Sequence, residues 1–198
     1  MPHSFGAYLI LYIMVDLFNY TRRASSVAHI GAIDLGGDNP IRIQSMTTTN
    51  TNDTEACVRQ AEEIIKAGGE LVRFTTQGSR EAENMKNINA GIRADGYQTP
   101  LVADVHFNPN VADVAALYCE KVRVNPGNYV DPARKFIKQE YTDEEYAHEL
   151  QKIEDRFVPF LNICKEHHTA IRIGVNHGSL SDRIRNRYGD TPEGIVES

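Results

Sequence analysis

Tryptophan is absent from the 198-residue sequence, and cysteine occurs only as Cys57, Cys119 and Cys164. Three thiols are an odd number, they lie far apart, and none forms a Cys-x-x-Cys pair. That excludes a disulfide framework and leaves no readable zinc or iron–sulfur motif. A reducing cytoplasm is the expected compartment. Long apolar runs are missing too. Ala7–Val15 is followed at once by Asp16, and it is far shorter than the about 20 residues a membrane helix needs. No basic segment precedes it and no small-residue cleavage site follows, so neither a leader nor a membrane anchor is expected. No GxGxxG follows a strand and no GxxxxGK[ST] occurs, which argues against a nucleotide cofactor. Positive charge is in deficit, 21 basic against 27 acidic residues, net −6. A broad nucleic-acid footprint is therefore not expected, and any anion site must come from local focusing of Arg and His.

What is present is an α/β rhythm. Short apolar strands are expected to start at residues 41, 71, 101, 121 and 170, with amphipathic helices between them, the pattern of a parallel sheet. Val27–Ile33 and Pro40–Gln44, joined by LGGDN, are expected to form a hairpin leading into the strand Ile41–Gln44. Asn52 or Asp53 can cap a helix that buries Cys57, Ala61, Ile64 and Ile65 and stops at Gly68–Gly69. A helix over Ser79–Ala94 precedes the strand Leu101–Val105, and Pro109 can open the next helix. Thr142 to Glu145 forms a capping box before a long helix with Tyr146, Leu150, Ile153, Phe157 and Leu161 as its apolar stripe, which Pro159 should kink or break. Polar residues follow every strand, where α/β folds place their sites. Because all the strand ends carry site-like residues, the expected architecture is the N-terminal portion of a (β/α)₈ TIM barrel, truncated after about five strands. A complete barrel typically takes about 250 residues. Met14 opens a more ordinary beginning, MVDLFNYTRR. Residues 1–13 are thus expected to be an extension from an upstream start, and residues 1–16 to stay outside the fold of 17–198.

The chemistry-bearing residues cluster at the strand ends. Arg73, Arg123 and Arg172 each sit between apolar residues of a short strand. One such arginine could point outward to helix carboxylates. Three at equivalent positions favour guanidiniums turned inward to hold phosphate bidentately. Asp104 and His106 are two apart, so they share a face. As a metal pair they are too few, and an aspartate orienting a histidine is the simpler reading. Asn125-Pro-Gly-Asn128 and Asn176-His-Gly-Ser179 are turns able to aim backbone N–H groups at an anion. His167 and His168 close a helix and are read as structural.

The segments IRIQSMT, LVRFTTQG, PLVADVHFN, KVRVNPGN and IRIGVNHGSLSDR, in this order, resemble the N-terminal barrel of the 4-hydroxy-3-methylbut-2-en-1-yl diphosphate synthase family. The TTQG, PGNYVDP and VNHGSLSDR wording resembles that family's longer form, with an extra domain between barrel and cluster domain. The resemblance implies reductive ring opening and dehydroxylation of 2-C-methyl-D-erythritol 2,4-cyclodiphosphate in isoprenoid biosynthesis. It implies a [4Fe–4S] cluster supplied with electrons by ferredoxin or flavodoxin, and it allows for a homodimer. Carried over residue by residue, it makes Arg73, Asp104, His106, Arg123, Asn125, Arg172 and Asn176 substrate-binding positions. The family's cluster ligands have no match here, so the C-terminal iron–sulfur domain is expected to be absent and the chain alone inactive. Two other readings stand beside it: a transferase barrel similar to dihydropteroate synthase, which also holds a diphosphate at its strand ends, and a non-catalytic fragment.

Overall fold

A computed structural model describes residues 23–106, 108–131 and 140–198. The expected extension at 1–16 lies outside the described residues. Two strands, β1 (Val27–Ile30) and β2 (Ile33–Gly36), form an antiparallel hairpin. Five more, β3 (Gln44–Met46), β4 (Leu71–Thr76), β5 (Leu101–Val105), β6 (Lys121–Val124) and β7 (Ala170–Ile173), form a parallel sheet in sequential order. Helices α1 (Thr54–Lys66), α2 (Ser79–Ala94), α3 (Pro109–Ala116) and α4 (Asp143–Glu166) connect them, and α5 (Asp182–Tyr188) and α6 (Pro192–Glu197) follow β7. Sequential parallel strands with a crossover helix between each pair are the barrel half-turn that the strand spacing predicts.

The two faces of the sheet are separated by strand alternation. Val72, Phe74, Leu101, Ala103, Val105, Val122 and Val124 point to the helices and form the main core with Cys57, Ala61, Met85, Ile88, Ile92, Val111, Ala115, Phe160 and Cys164. Each Val, Leu, Ile, Phe or Met among them contributes about 1.5–3 kcal/mol by leaving water. Leu71 and Val102 point to the opposite, inner face, where Ile30 of the hairpin covers them with Ile33 and Ala170 alongside. The hairpin thus closes the N-terminal end of the inner face.

Local signals explain most boundaries. Asp53 caps α1, its carboxylate accepting from Ala56 N at 3.0 Å, and Gly68 at φ +99° lets the chain leave. The capping box of α4 is present, with Thr142 Oγ1 accepting from Glu145 N and Glu145 Oε2 from Thr142 N. Three expectations are corrected. The hairpin turns at Gly31–Ala32, where Ile30 pairs with Ile33 and Gly31 takes φ +54°, and not at LGGDN. Glycine first in a two-residue hairpin turn suits the strand twist. LGGDN instead turns the chain out of β2, so the first parallel strand starts at Gln44 rather than Ile41. Second, α4 runs unbroken through Pro159. Phe160 and Cys164 are packed into the core on one side of the proline and Tyr146 is buried on the other, so tertiary burial outweighs one lost backbone bond. Third, the buried face of α4 is turned toward Phe160 and Cys164, which leaves Leu150 and Leu161 exposed. No helix among the described residues is long and apolar enough to cross a membrane.

Candidate functional site

Side chains from β4 and β6 and from the residue just after β5 converge on one carboxylate of β5. Asp104, near the end of β5, is 1 % exposed and sits on the inner face. Arg73 Nη2 donates to its Oδ2 from β4, and Arg123 Nη1 reaches its Oδ1 at 3.4 Å from β6. His106 Nε2 lies 3.2 Å from Oδ2. Two guanidiniums therefore flank a single carboxylate, leaving an excess of positive charge before His106 is considered. Burial pushes the Asp104 carboxyl up, but hydrogen bonds from His106 and Arg73 outweigh it and hold the group below the usual carboxylate range.

Arg123 is fixed from both ends. Its Nη2 donates to Gly174 O at 2.8 Å, just past β7. A Cβ at Gly174 would lie 1.9 Å from Arg123 Nε, so only glycine leaves room for the guanidinium to cross the strand end. Above this layer two turns knit together. Asn125 Nδ2 donates to Ser179 Oγ at 3.2 Å, Asn128 Nδ2 donates to Ser179 O at 2.7 Å, and Asn176 N donates to Ser179 Oγ at 3.3 Å. The Gly127 N–H, expected to face an anion, is instead taken by Asn125 Oδ1 at 3.1 Å. Arg73, His106, Arg123, Asn125, Asn128, Asn176 and Ser179 line a cavity of about 280 Å³ whose floor is the Asp104 cluster. With fixed cationic donors and amide groups around it, such a space suits a small polyanion.

Arg172 is the expected site residue that the structure does not bring to this cavity. It pairs in register with Arg123 and shares its face, yet it is exposed and lines a lower concavity of about 330 Å³ with Lys121, Gln44 and Leu71. Sequence reasoning missed Gly174, Asn128 and Ser179 as site residues. All three stand inside or beside the motifs already singled out, but their roles depend on contacts between turns about 50 residues apart. A larger concavity, about 450 Å³, lies at the opposite end, among the C-terminal ends of α3 and α4 and residues His167 and His168. Helix C-termini carry partial negative charge and disfavour an anion there.

A cluster or metal has no place among these residues. Cys57, Cys119 and Cys164 are all buried, and burial pushes the Cys164 thiol up to about 12 and Cys119 higher still. Thiolates are the ligand form, so these thiols are poor candidates. No group of three His, Cys, Asp or Glu side chains among the described residues could hold a metal ion.

Residues 25–198 match the GcpE TIM-barrel domain. The chain belongs to the GcpE TIM-barrel family. Other carriers of this barrel are close in sequence. The chain is 76 % identical over 184 residues to the 4-hydroxy-3-methylbut-2-en-1-yl diphosphate synthase (flavodoxin) of Phocaeicola vulgatus, covering 93 % of this chain and 30 % of that protein. It is 66 % identical over 181 residues to the synthase of the same name from Parabacteroides distasonis, covering 91 % of this chain and 30 % of that protein. The corresponding protein of Akkermansia muciniphila is 52 % identical over 181 residues, with 91 % and 31 % covered. This GcpE barrel chain thus spans about 30 % of the length of the curated relatives it matches.

Proposed function

We propose that these residues form the substrate-binding part of a 4-hydroxy-3-methylbut-2-en-1-yl diphosphate synthase acting in isoprenoid biosynthesis. The substrate is 2-C-methyl-D-erythritol 2,4-cyclodiphosphate, and flavodoxin, named for the relatives, is the electron donor. The observation that carries the reading is the meeting of Arg73, Arg123 and His106 around Asp104 beneath a cavity of about 280 Å³. Arg73 and Arg123 take the phosphoryl oxygens, with Asp104 setting the direction in which their guanidiniums face. His106, held by Asp104, donates to an anionic oxygen. Asn125, Asn128 and Asn176 offer amides to the remaining polar groups, and Arg172 swings up from the edge strand to complete the set. Fixing a ring in this way lowers the entropy cost of the reaction that follows. A [4Fe–4S] cluster supplies electrons in this chemistry, but the thiols described do not fit one, so its ligands belong to another part of the full-length protein. No reductive step is assigned to the residues here.

The transferase reading is not favoured, because the barrel match and the synthase relatives cover the chain from residue 25 onward. The test is calorimetric titration of the cyclic diphosphate into the full-length protein and its Arg123→Met variant. Loss of one charge-assisted contact is expected to weaken binding by about 1.5–3 kcal/mol. Equal affinity in the two proteins rejects the site.

A further inference from the structure

Below the Asp104 cluster lies a cation that the functional reading does not use. Lys121 is the first residue of β6 and is 7 % exposed. It shares the inner face with Arg123 and Ala170, and it borders the concavity of about 330 Å³ together with Ile30, Gln44, Leu71 and Arg172. No carboxylate faces it among the described residues. Glu70 is occupied by Arg42, whose Nη1 donates to Oε1 at 2.8 Å. Asp104 is occupied by Arg73, Arg123 and His106 one layer up. Burial above all, reinforced by the positive charges of Arg172 and Arg73, pushes the ammonium down to about 8.

The Lys121 side chain meets water only through this concavity, so polypeptide that covers it takes the ammonium out of water, which is strongly unfavourable unless the covering segment supplies a partner. The concavity shows where the partner enters. It is bounded by Gln44 of β3 and by Ala170, Ile171 and Arg172 of β7, the two edge strands of the parallel sheet. β7 presents Arg172 and Ile173 uncovered, the latter 56 % exposed. The curated relatives are about three times as long as the span matched, so polypeptide is available to occupy the flank between these edges.

We infer that a strand of the full-length polypeptide, seated between β7 and β3, places an aspartate or glutamate in this concavity against Lys121 Nζ. The carboxylate neutralises Lys121, and Arg172 lies within the same charged layer. Its role is to fix the register in which the rest of the barrel docks: a one-residue slip of that strand turns the acid to the helix side and buries two unpaired charges.

Structure determination of the full-length protein provides the test. A carboxylate oxygen within hydrogen-bonding distance of Lys121 Nζ is the expected result. A Lys121 that meets only water, backbone carbonyl or a bound ion overturns the inference. Thermal unfolding of full-length Lys121→Met gives a second readout. The melting temperature is expected to fall by about 5 °C or more, since the acid is left alone. A rise overturns the inference, because it shows that an unpaired charge has been relieved. Should Lys121→Met not fold, Lys121→Arg decides. It keeps the pair and should melt near the parent, whereas a loss as large as that of the methionine variant counts against pairing. A cyclic-diphosphate titration on the parent separates this inference from the functional one, since the ion pair requires no substrate.

Discussion

Arg123 and Arg172 occupy one row of the sheet. Asp104, Arg123 and Arg172 are register partners across β5, β6 and β7, and all three face inward. Arg123 is nonetheless gripped by Asp104 and by the Gly174 carbonyl, and its side chain is 13 % exposed. Arg172, one strand further out, is exposed and makes no hydrogen bond among the described residues. The same gradient runs through the whole sheet. β5 is buried at every position, while β7 is half-buried at its start and exposed at its end. A guanidinium becomes an ordered donor only where a carboxylate stands across from it and neighbouring strands exclude water. Strand position alone does not achieve this.

The comparison can be broken first at its centre. Asp104→Asn leaves two guanidiniums around a neutral amide in a nearly water-free layer, and it is expected to cost about 3–5 kcal/mol of stability, measured by denaturant unfolding. The same residue fixes the acid response. Its carboxyl is held below the ordinary 3.8, so its contribution is complete above that value and is lost as the pH falls through the folded-state pKa. Stability should thus drop below about pH 4 in the parent and more gently in Asp104→Asn. Next comes Gly174→Ala, which drives the new methyl into Arg123 Nε. The guanidinium must move off the strand end, and cyclic-diphosphate affinity should weaken by about 1.5–3 kcal/mol, similar to Arg123→Met. Isothermal titration reads both, and an unaffected Gly174→Ala would show that Arg123 need not be gripped. The smallest effects compare the register partners Val124 and Ile173, 1 % and 56 % exposed. In the 198-residue chain Val124→Thr should cost about 1–3 kcal/mol by burying a hydroxyl, and Ile173→Thr less than about 0.5 kcal/mol. Similar costs in the full-length protein would show that β7 is covered there.

The parallel part of the fold is legible because each element is bounded by residues that stop it. α2 begins after Gly78 and ends before Asp95–Gly96, and β5 and β6 stop where apolar residues give way to His106 and Asn125. Two glycines followed by Asp38–Asn39 form a stronger local turn signal than Gly31–Ala32, yet the hairpin turns at the latter. The pairing of Ile30 with Ile33 is decided by burial on Leu71 and Val102, far along the chain. The stripe of α4 failed for a related reason: its spacing allows two adjacent faces, and the packing of Phe160 and Cys164 chooses between them. At the candidate site, the inward face of Arg73, Asp104, His106 and Arg123 follows from period-two alternation. That the Gly174 carbonyl receives Arg123, or that Ser179 ties three asparagines together, depends on distances between loops that no local pattern encodes.

The hairpin over the N-terminal end of the sheet also has a temporal meaning. Ile30 is synthesised before any parallel strand, and the residues it covers, Leu71 and Val102, belong to β4 and the central strand β5. Every later strand then adds beside its immediate predecessor, β6 on β5 and β7 on β6. Growth in that order asks each newcomer to pair only with a strand that already exists, and the longest wait is for β7, whose crossover carries the 24-residue α4. The apolar face of the hairpin thus precedes the strands it covers, whereas the cavity at the far rim, which needs the turns after both β6 and β7, can form only after them.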